Sequence, residues 1–183
     1  MIRYTPEKIA ALRPNEIFVF GSNLAGHHGG GAASIAHERF GAVWGIGTGL
    51  QGNSYAIPTM QGGIDTIKPY VDEFICFARL HSELTFYVTR IGCGIAGFSD
   101  SEIAPLFDKA YDVKNIILPE SFYKIINHAR QLNSETNGLK FHAIPIKFFE
   151  EDRIKMESMS REEKTNYVQN LKKKGKYLID HKS

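Results

Sequence analysis

Short apolar runs alternate along the chain with segments of helical period. The run Ile17–Phe20 is apolar at all four positions, as expected of a parallel strand buried on both faces. Strands that alternate with helices build a mainly parallel or mixed central sheet covered by helices. The pattern therefore predicts an α/β fold. The predicted strands are 17–20, 54–57, 85–90 and 115–118, and the predicted helices are about 32–40, 66–81, 100–111 and 121–132.

Several element ends carry local signals. Ser99 and Glu102 have the spacing of a capping box, which predicts a helix that starts after Ser99 and runs to Tyr111. Pro69 is expected in the first turn of its helix, where proline is tolerated.

A polar segment, Asn133–Gly138, is predicted to be a linker. It divides the chain into an α/β domain at 1–132 and a helical C-terminal extension at 133–183. The extension is expected to hold a short strand within 141–149 and a helix at about 160–174 that ends at the C-cap Gly175.

Composition narrows the class of protein. A net charge of +2 over 183 residues does not argue for nucleic-acid binding. The two cysteines cannot form a disulfide framework, and we expect Cys76 to be a core thiol. The N-terminus has no signal-peptide core, and no apolar stretch is long enough to span a membrane, so we expect a cytoplasmic protein.

Two glycine-rich segments each follow a predicted strand and precede a helix. The first contains Gly29–Gly31 and the second spans Ile91–Phe98. Backbone N–H groups at such a strand-to-helix loop attract anions, and glycine lets a phosphate come close. The carboxyl ends of parallel strands are also where α/β proteins bind ligands. The sequence therefore predicts a diphosphate held between two loops.

Individual side chains near these loops allow two interpretations each. Asn23 either satisfies its own loop or binds a sugar hydroxyl. Arg90 either meets a phosphate or pairs with Asp100. Phe98 either stacks on the ligand or packs in the core. Cys93 is either a packing residue or a reactive thiol, and packing is favoured because no histidine is adjacent to activate it.

Two further sequence patterns, a G-x-G-x-x-G match and a histidine pair, do not predict a binding site. Gly47–Gly52 fits G-x-G-x-x-G, but a strand follows it rather than a helix, so we predict a flexible loop between two elements and not a Rossmann site. His27 and His28 are adjacent, yet no spaced set of further ligands completes a metal site.

The two loops together resemble the macro domain family of ADP-ribose-binding modules. The resemblance rests on Asn23, the glycine triplet, the small-residue helix start at Ala32 and the stretch Ile91–Phe98, and it covers roughly residues 15–120. It implies a three-layer α/β/α fold that binds ADP-ribose without another cofactor. The second loop would wrap the diphosphate, and the triplet would face the distal ribose. The implied ligand residues are Asn23, Gly29, Gly30, Gly31, Ala32, Ile91, Gly92, Cys93, Gly94, Ile95, Ala96, Gly97 and Phe98.

The chain departs from the family pattern at three places. No Asp precedes the first loop to bind the adenine amine, Ala33 stands where many hydrolytic members have an acid, and Glu38 is the single acid on the first helix.

Three hypotheses follow. The first is a recognition module for ADP-ribose or a related NAD-derived nucleotide. The second is a hydrolase that releases ADP-ribose from a modified acceptor, with Asn23, His28 or Glu38 positioning water. The third is an interaction protein whose C-terminal helix docks on a partner or a second copy through Tyr167, Val168 and Leu171.

Overall fold

A computed structural model describes residues 3–138, 146–147, 163, 167 and 178–179. The chain divides into two compact units, Met1–Gln131 and Leu132–Ser183. None of the helices in the described residues is long and apolar enough to cross a membrane.

The first unit is built on a five-stranded mixed sheet of order β2-β3-β1-β4-β5. Strands β3, β1, β4 and β5 run parallel, and β2 pairs antiparallel with β3 at one edge. The strands are β1 Glu16–Ser22, β2 Gly49–Gln51, β3 Ser54–Pro58, β4 Thr85–Val88 and β5 Ile116–Ile117. The helices are α1 Gly31–Arg39, α2 Ile64–Leu80, α3 Asp100–Ile103, a 3-10 helix at Ala104–Ala110, and α4 Glu120–Gly138.

Alternate side chains of β1 are buried in two separate hydrophobic cores, one on each face of the sheet. Ile17 and Val19 belong to the larger core, which α2, the 3-10 helix and the start of α4 cover. Phe18 and Phe20 belong to a smaller core that includes the small-residue face of α1. Because side chains alternate across a strand, the sheet carries helices on both faces. The predicted α/β class is thus confirmed, and the arrangement is consistent with three layers.

Three predictions about the elements are wrong. Asn133–Gly138 is not a linker but the last part of α4, because Asn, Ser and Thr disfavour a helix only weakly. Pro69 lies beyond the first turn, because α2 begins at Ile64. Cys76 is exposed, because the buried stripe of α2 runs through its neighbours Phe74, Ile75 and Ala78.

The segment Gly47–Gly52, predicted as a loop, contains the edge strand β2. Gly49–Gln51 forms a tight antiparallel pair with the start of β3, so no helix follows the glycines. The rejection of a Rossmann site at this position agrees with that pairing.

In the second unit, β6 Ile146–Lys147 pairs antiparallel with β7 Leu178–Ile179. The first of these lies inside the strand predicted at 141–149. Glu163 and Tyr167 are helical, within the helix predicted at 160–174. Val168, Leu171, Gly175 and the other residues of these two predictions lie outside the described residues.

Candidate functional site

The two glycine loops converge on one cleft of ≈ 270 Å³ at the carboxyl ends of β1, β3 and β4. The chain is closely packed at Gly21, where a Cβ would lie 3.2 Å from Thr59 Oγ1 and 3.3 Å from the backbone N of Gly92. The cleft is lined by Gly21, Ser22, Asn23, His27, Gly30, Gly31, Ala32, Ala33, Thr59, Met60, Thr89, Arg90, Ile91, Gly92, Gly94, Ile95 and Ala96.

Asn23 holds the first loop closed. Its side-chain Nδ2 donates to the carbonyl of His27 at 2.8 Å, and its Oδ1 accepts from the N–H of His27 at 3.1 Å. The amide side chain thus satisfies its own loop, which is one of the two interpretations of the sequence.

The first loop also interlocks with the segment 43–47. The N–H of Gly45 donates to the carbonyl of Gly26 at 3.0 Å. A Cβ on Gly26 would overlap the backbone of Gly45 and Ile46, and a Cβ on Gly47 would overlap Asn23. The loop is therefore positioned by direct backbone contact.

His28 lies outside the cleft. Its ring is 1% exposed, and Nε2 is within 3.1 Å of the Val43 carbonyl and 3.2 Å of the Ile46 carbonyl. Glu38 is exposed on α1 and does not line the cleft. Of the three residues predicted to position water, only Asn23 lines the cleft.

Helix α1 begins at Gly31, one residue earlier than predicted, with Gly30 as its N-cap. Gly31 has φ +60°, a left-handed conformation that favours glycine. The N–H groups at the start of a helix have no partner within the helix, and the helix dipole makes this end attractive to anions. Gly30 and Gly31 thus place the N-terminus of α1 at the cleft. Gly29, a predicted ligand residue, does not line the cleft.

The second loop is fixed at its base and open at its tip. Gly92 has φ +72° and lies beneath Ile103, and its carbonyl accepts the N–H of Phe98 at 3.0 Å. Within the described part of the chain, the N–H groups of Gly94, Ile95 and Ala96 have no hydrogen-bond acceptor. These groups are available to a ligand.

Ile95 reaches from the second loop toward the first. Its side chain is 76% exposed, and its Cδ1 lies 3.2 Å from the position that a Cβ on Gly30 would occupy. The two loops therefore meet across the mouth of the cleft.

Three predicted ligand residues of the second loop do not line the cleft: Cys93, Gly97 and Phe98. Phe98 packs partly buried against the larger core. Burial raises the pKa of the Cys93 thiol to about 12, so the thiol stays protonated at neutral pH. Both side chains follow the packing interpretation.

Arg90 is paired with Asp100 rather than free. Its Nη2 lies 2.7 Å and its Nε 3.0 Å from Asp100 Oδ1. Burial is the largest single influence and opposes the charged form of Asp100, but the hydrogen bonds that the carboxylate accepts, led by that from Arg90, together with the charge of Arg90 outweigh it and hold the pKa of this carboxyl below its usual value. Because the pair joins the two ends of the second loop, it closes the loop at its base.

A second, larger cavity of ≈ 950 Å³ lies beyond Thr89 and Arg90, which line both spaces. The N-terminal residues Tyr4–Glu7 form one side of it and are held beside the end of β5, where the N–H of Thr5 donates to the carbonyl of Leu118 at 2.9 Å. No pattern in the sequence indicated this cavity. Residues at the ends of predicted strands, such as Ser22 and Thr59, were missed as lining residues, although the strand-end rule pointed to them.

Within the described residues, no group of three His, Cys, Asp or Glu side chains could hold a metal ion. Comparison of the chain with protein-family models, with curated proteins and with solved structures finds no match.

Proposed function

We propose that this protein binds ADP-ribose or a related NAD-derived nucleotide and acts as a recognition module. The observation that carries the proposal is the convergence of two glycine loops on one cleft, each with backbone N–H groups free to meet an anion. One loop would suffice for a single phosphate. Two facing sets of donors fit a diphosphate.

The charge of the lining supports an anionic ligand held by the backbone. The cleft residues include no Asp or Glu, so no carboxylate repels a phosphate. Arg90 is engaged with Asp100, which leaves the open end of α1 and the tip of the second loop as the main donors.

In this proposal the adenosine and the distal ribose of the nucleotide bind in two different spaces. The larger cavity beyond Thr89 and Arg90 has room for the adenosine. The distal ribose would then lie at the other end, near Gly30, Gly31 and Asn23.

A binding role is favoured over hydrolysis by the same lining. His28 is buried behind the first loop, Glu38 is on the outside of α1, and the amide of Asn23 is occupied by His27. The cleft thus offers no carboxylate to activate a water for attack on the sugar.

Isothermal titration of ADP-ribose into the wild type and Gly94→Glu tests the proposal. Gly94 has open space around its Cβ position and no left-handed φ, so the fold should tolerate the change. We expect affinity to fall at least about 100-fold, because a carboxylate placed beside the bound phosphates sets like charges against each other at a cost of several kcal/mol. Gly63→Glu is the matched control, since Gly63 is also open, has φ −78° and does not line the cleft.

Absence of binding in the wild type would contradict the proposal. So would an equal loss of affinity in both glutamate variants, because the effect would then come from added charge and not from the cleft.

A further inference from the structure

A stacked pair of aromatic side chains, of which only His27 lines the cleft, lies beside the end assigned to the distal ribose. His27 lines the cleft, and its ring stacks on Trp44 with centroids 5.5 Å apart and planes 26° from parallel. Trp44 is 54% exposed, which is unusual for the largest apolar side chain of the protein. Nothing in the proposed contacts with ADP-ribose uses this surface.

The backbone holds this pair in place before any ligand arrives. Both the N–H and the carbonyl of His27 bond to the amide of Asn23. On the other side, the N–H of Val43 donates to Gln51 Oε1 at 2.7 Å, and the N–H of Gly45 donates to Gly26. The edges of His28 and His37 lie against Trp44, with ring centroids 6.3 Å and 5.9 Å away. A prearranged platform costs little ordering entropy on binding.

The two chain segments that carry the pair contain no acid, lysine or arginine. The segments 17–37 and 40–64 contain no Asp, Glu, Lys or Arg. A polynucleotide would need cations for its phosphates, and an acidic peptide would need them for its carboxylates. The rim therefore favours a small planar group that binds by stacking.

We infer that the His27–Trp44 pair stacks on a planar cationic ring joined to the distal ribose, so that the preferred ligand is an intact dinucleotide of the NAD⁺ type. This rests on the proposed function and names its ligand more closely. ADP-ribose ends in a hydroxyl at that carbon and leaves the platform empty. The nicotinamide ring of NAD⁺ is flat and positively charged, and such a ring is attracted to the face of an aromatic side chain.

Titration calorimetry with NAD⁺, NADH and ADP-ribose tests this ligand assignment. We expect the wild type to bind NAD⁺ about tenfold more tightly than ADP-ribose, which corresponds to about 1.4 kcal/mol. NADH should fall between them, because its ring is uncharged.

Trp44→Ala should abolish the preference for NAD⁺, while its affinity for ADP-ribose should change less than about twofold. Trp44→Phe should retain most of the preference for NAD⁺, because it keeps an aromatic face. Leu80→Ala is the control, since Leu80 is 82% exposed at the end of α2 and away from the cleft lining. Retained binding of ADP-ribose also reports that the Trp44 variants are folded.

The chain has one tryptophan, so its fluorescence reports on the platform directly. NAD⁺ should quench it at saturation, and ADP-ribose should leave it nearly unchanged.

Equal affinity of the wild type for NAD⁺ and ADP-ribose would overturn the inference and leave the proposed function standing. An equal loss of affinity for both ligands in Trp44→Ala would also overturn it, because the contribution of Trp44 would then not depend on the nicotinamide ring. Binding of neither ligand would overturn the proposed function itself.

Discussion

The first glycine loop is interlocked with the body of the domain, whereas the second is anchored only at its base. Gly26 in the first loop is crowded by the backbone of Gly45 and Ile46, and Gly47 in the facing segment is crowded by the backbone of Asn23. In the second loop, Gly94 and Gly97 have nothing within 4 Å of their Cβ positions. Glycine thus serves close packing at Gly26 and at Gly92, which anchor the two loops, and open access at Gly94 and Gly97 in the second loop.

This difference separates two functions of a glycine-rich sequence. Crowded glycines let two chain segments approach, so they fix a loop. Open glycines leave backbone N–H groups uncovered, so they suit a ligand. The glycine content alone does not distinguish these cases, and substitutions that add one methyl group should.

The largest expected effect is on stability, in the first loop. Gly26→Ala combines left-handed backbone strain at φ +65° with overlap against Gly45 and Ile46. Together these should lower the free energy of unfolding by about 3 kcal/mol. Gly45→Ala is the matched control: it has φ +89° but open space, so strain alone should cost about 1 kcal/mol. Urea denaturation of both variants measures the difference. Equal losses would mean that crowding does not fix the first loop.

A smaller effect is expected at the base of the second loop, from the Arg90–Asp100 pair. Because the folded-state pKa of Asp100 is lowered, the pair stabilises the protein above the unfolded pKa, and this stability is lost as pH falls through the folded value. This stability is therefore lost in the pH range below about 4. It should amount to at most about 1 kcal/mol, because the Arg90 side chain is 61% exposed to water.

Urea midpoints between pH 3 and pH 7 test this. Asp100→Asn should be less stable than the wild type at pH 7 and should approach it at pH 3. Glu38→Gln is the control, since this exposed carboxylate makes no ion pair within the described residues. If the difference between wild type and Asp100→Asn were the same at both pH values, the pair would not be the cause.

The smallest effect on stability is expected at the tip of the second loop. Ile95→Ala removes an exposed side chain, so the free energy of unfolding should change by less than about 0.5 kcal/mol. Dissociation of ADP-ribose should nevertheless speed up about fivefold, because Ile95 crosses the cleft mouth and most effects of interface changes are on the off-rate. Stopped-flow displacement measures this rate. A large loss of stability would show that the tip, like the first loop, has a packing role.

The elements of the first unit were largely predictable because each carries a local signal. Ile17–Phe20 is apolar throughout, and α1 begins at Gly31, the last glycine of the triplet. The capping box was predicted from the spacing of Ser99 and Glu102. The structure confirms it, because Glu102 Oε2 accepts the N–H of Ser99 at 2.8 Å. The edge strand β2 was missed because its three residues are a glycine, a leucine and a glutamine, which carry no alternating pattern.

Roles that depend on distant neighbours could not be predicted in the same way. In the sequence, His28 is typical of a polar loop residue. In the structure it is buried against Val43 and Ile46, which lie 15 and 18 positions later in the chain. The choice between a phosphate and Asp100 as the partner of Arg90 also needed the geometry of the loop base.

The sequence by itself determined the α/β class and placed two glycine loops at strand ends, because apolar periodicity and backbone freedom are properties of short segments. Only the tertiary structure decided which glycines are open, which histidine lines the cleft, and that His27 stacks on Trp44. These outcomes depend on which segments pack side by side. That packing is fixed by the order of strands in the sheet and by contacts between residues far apart in the chain.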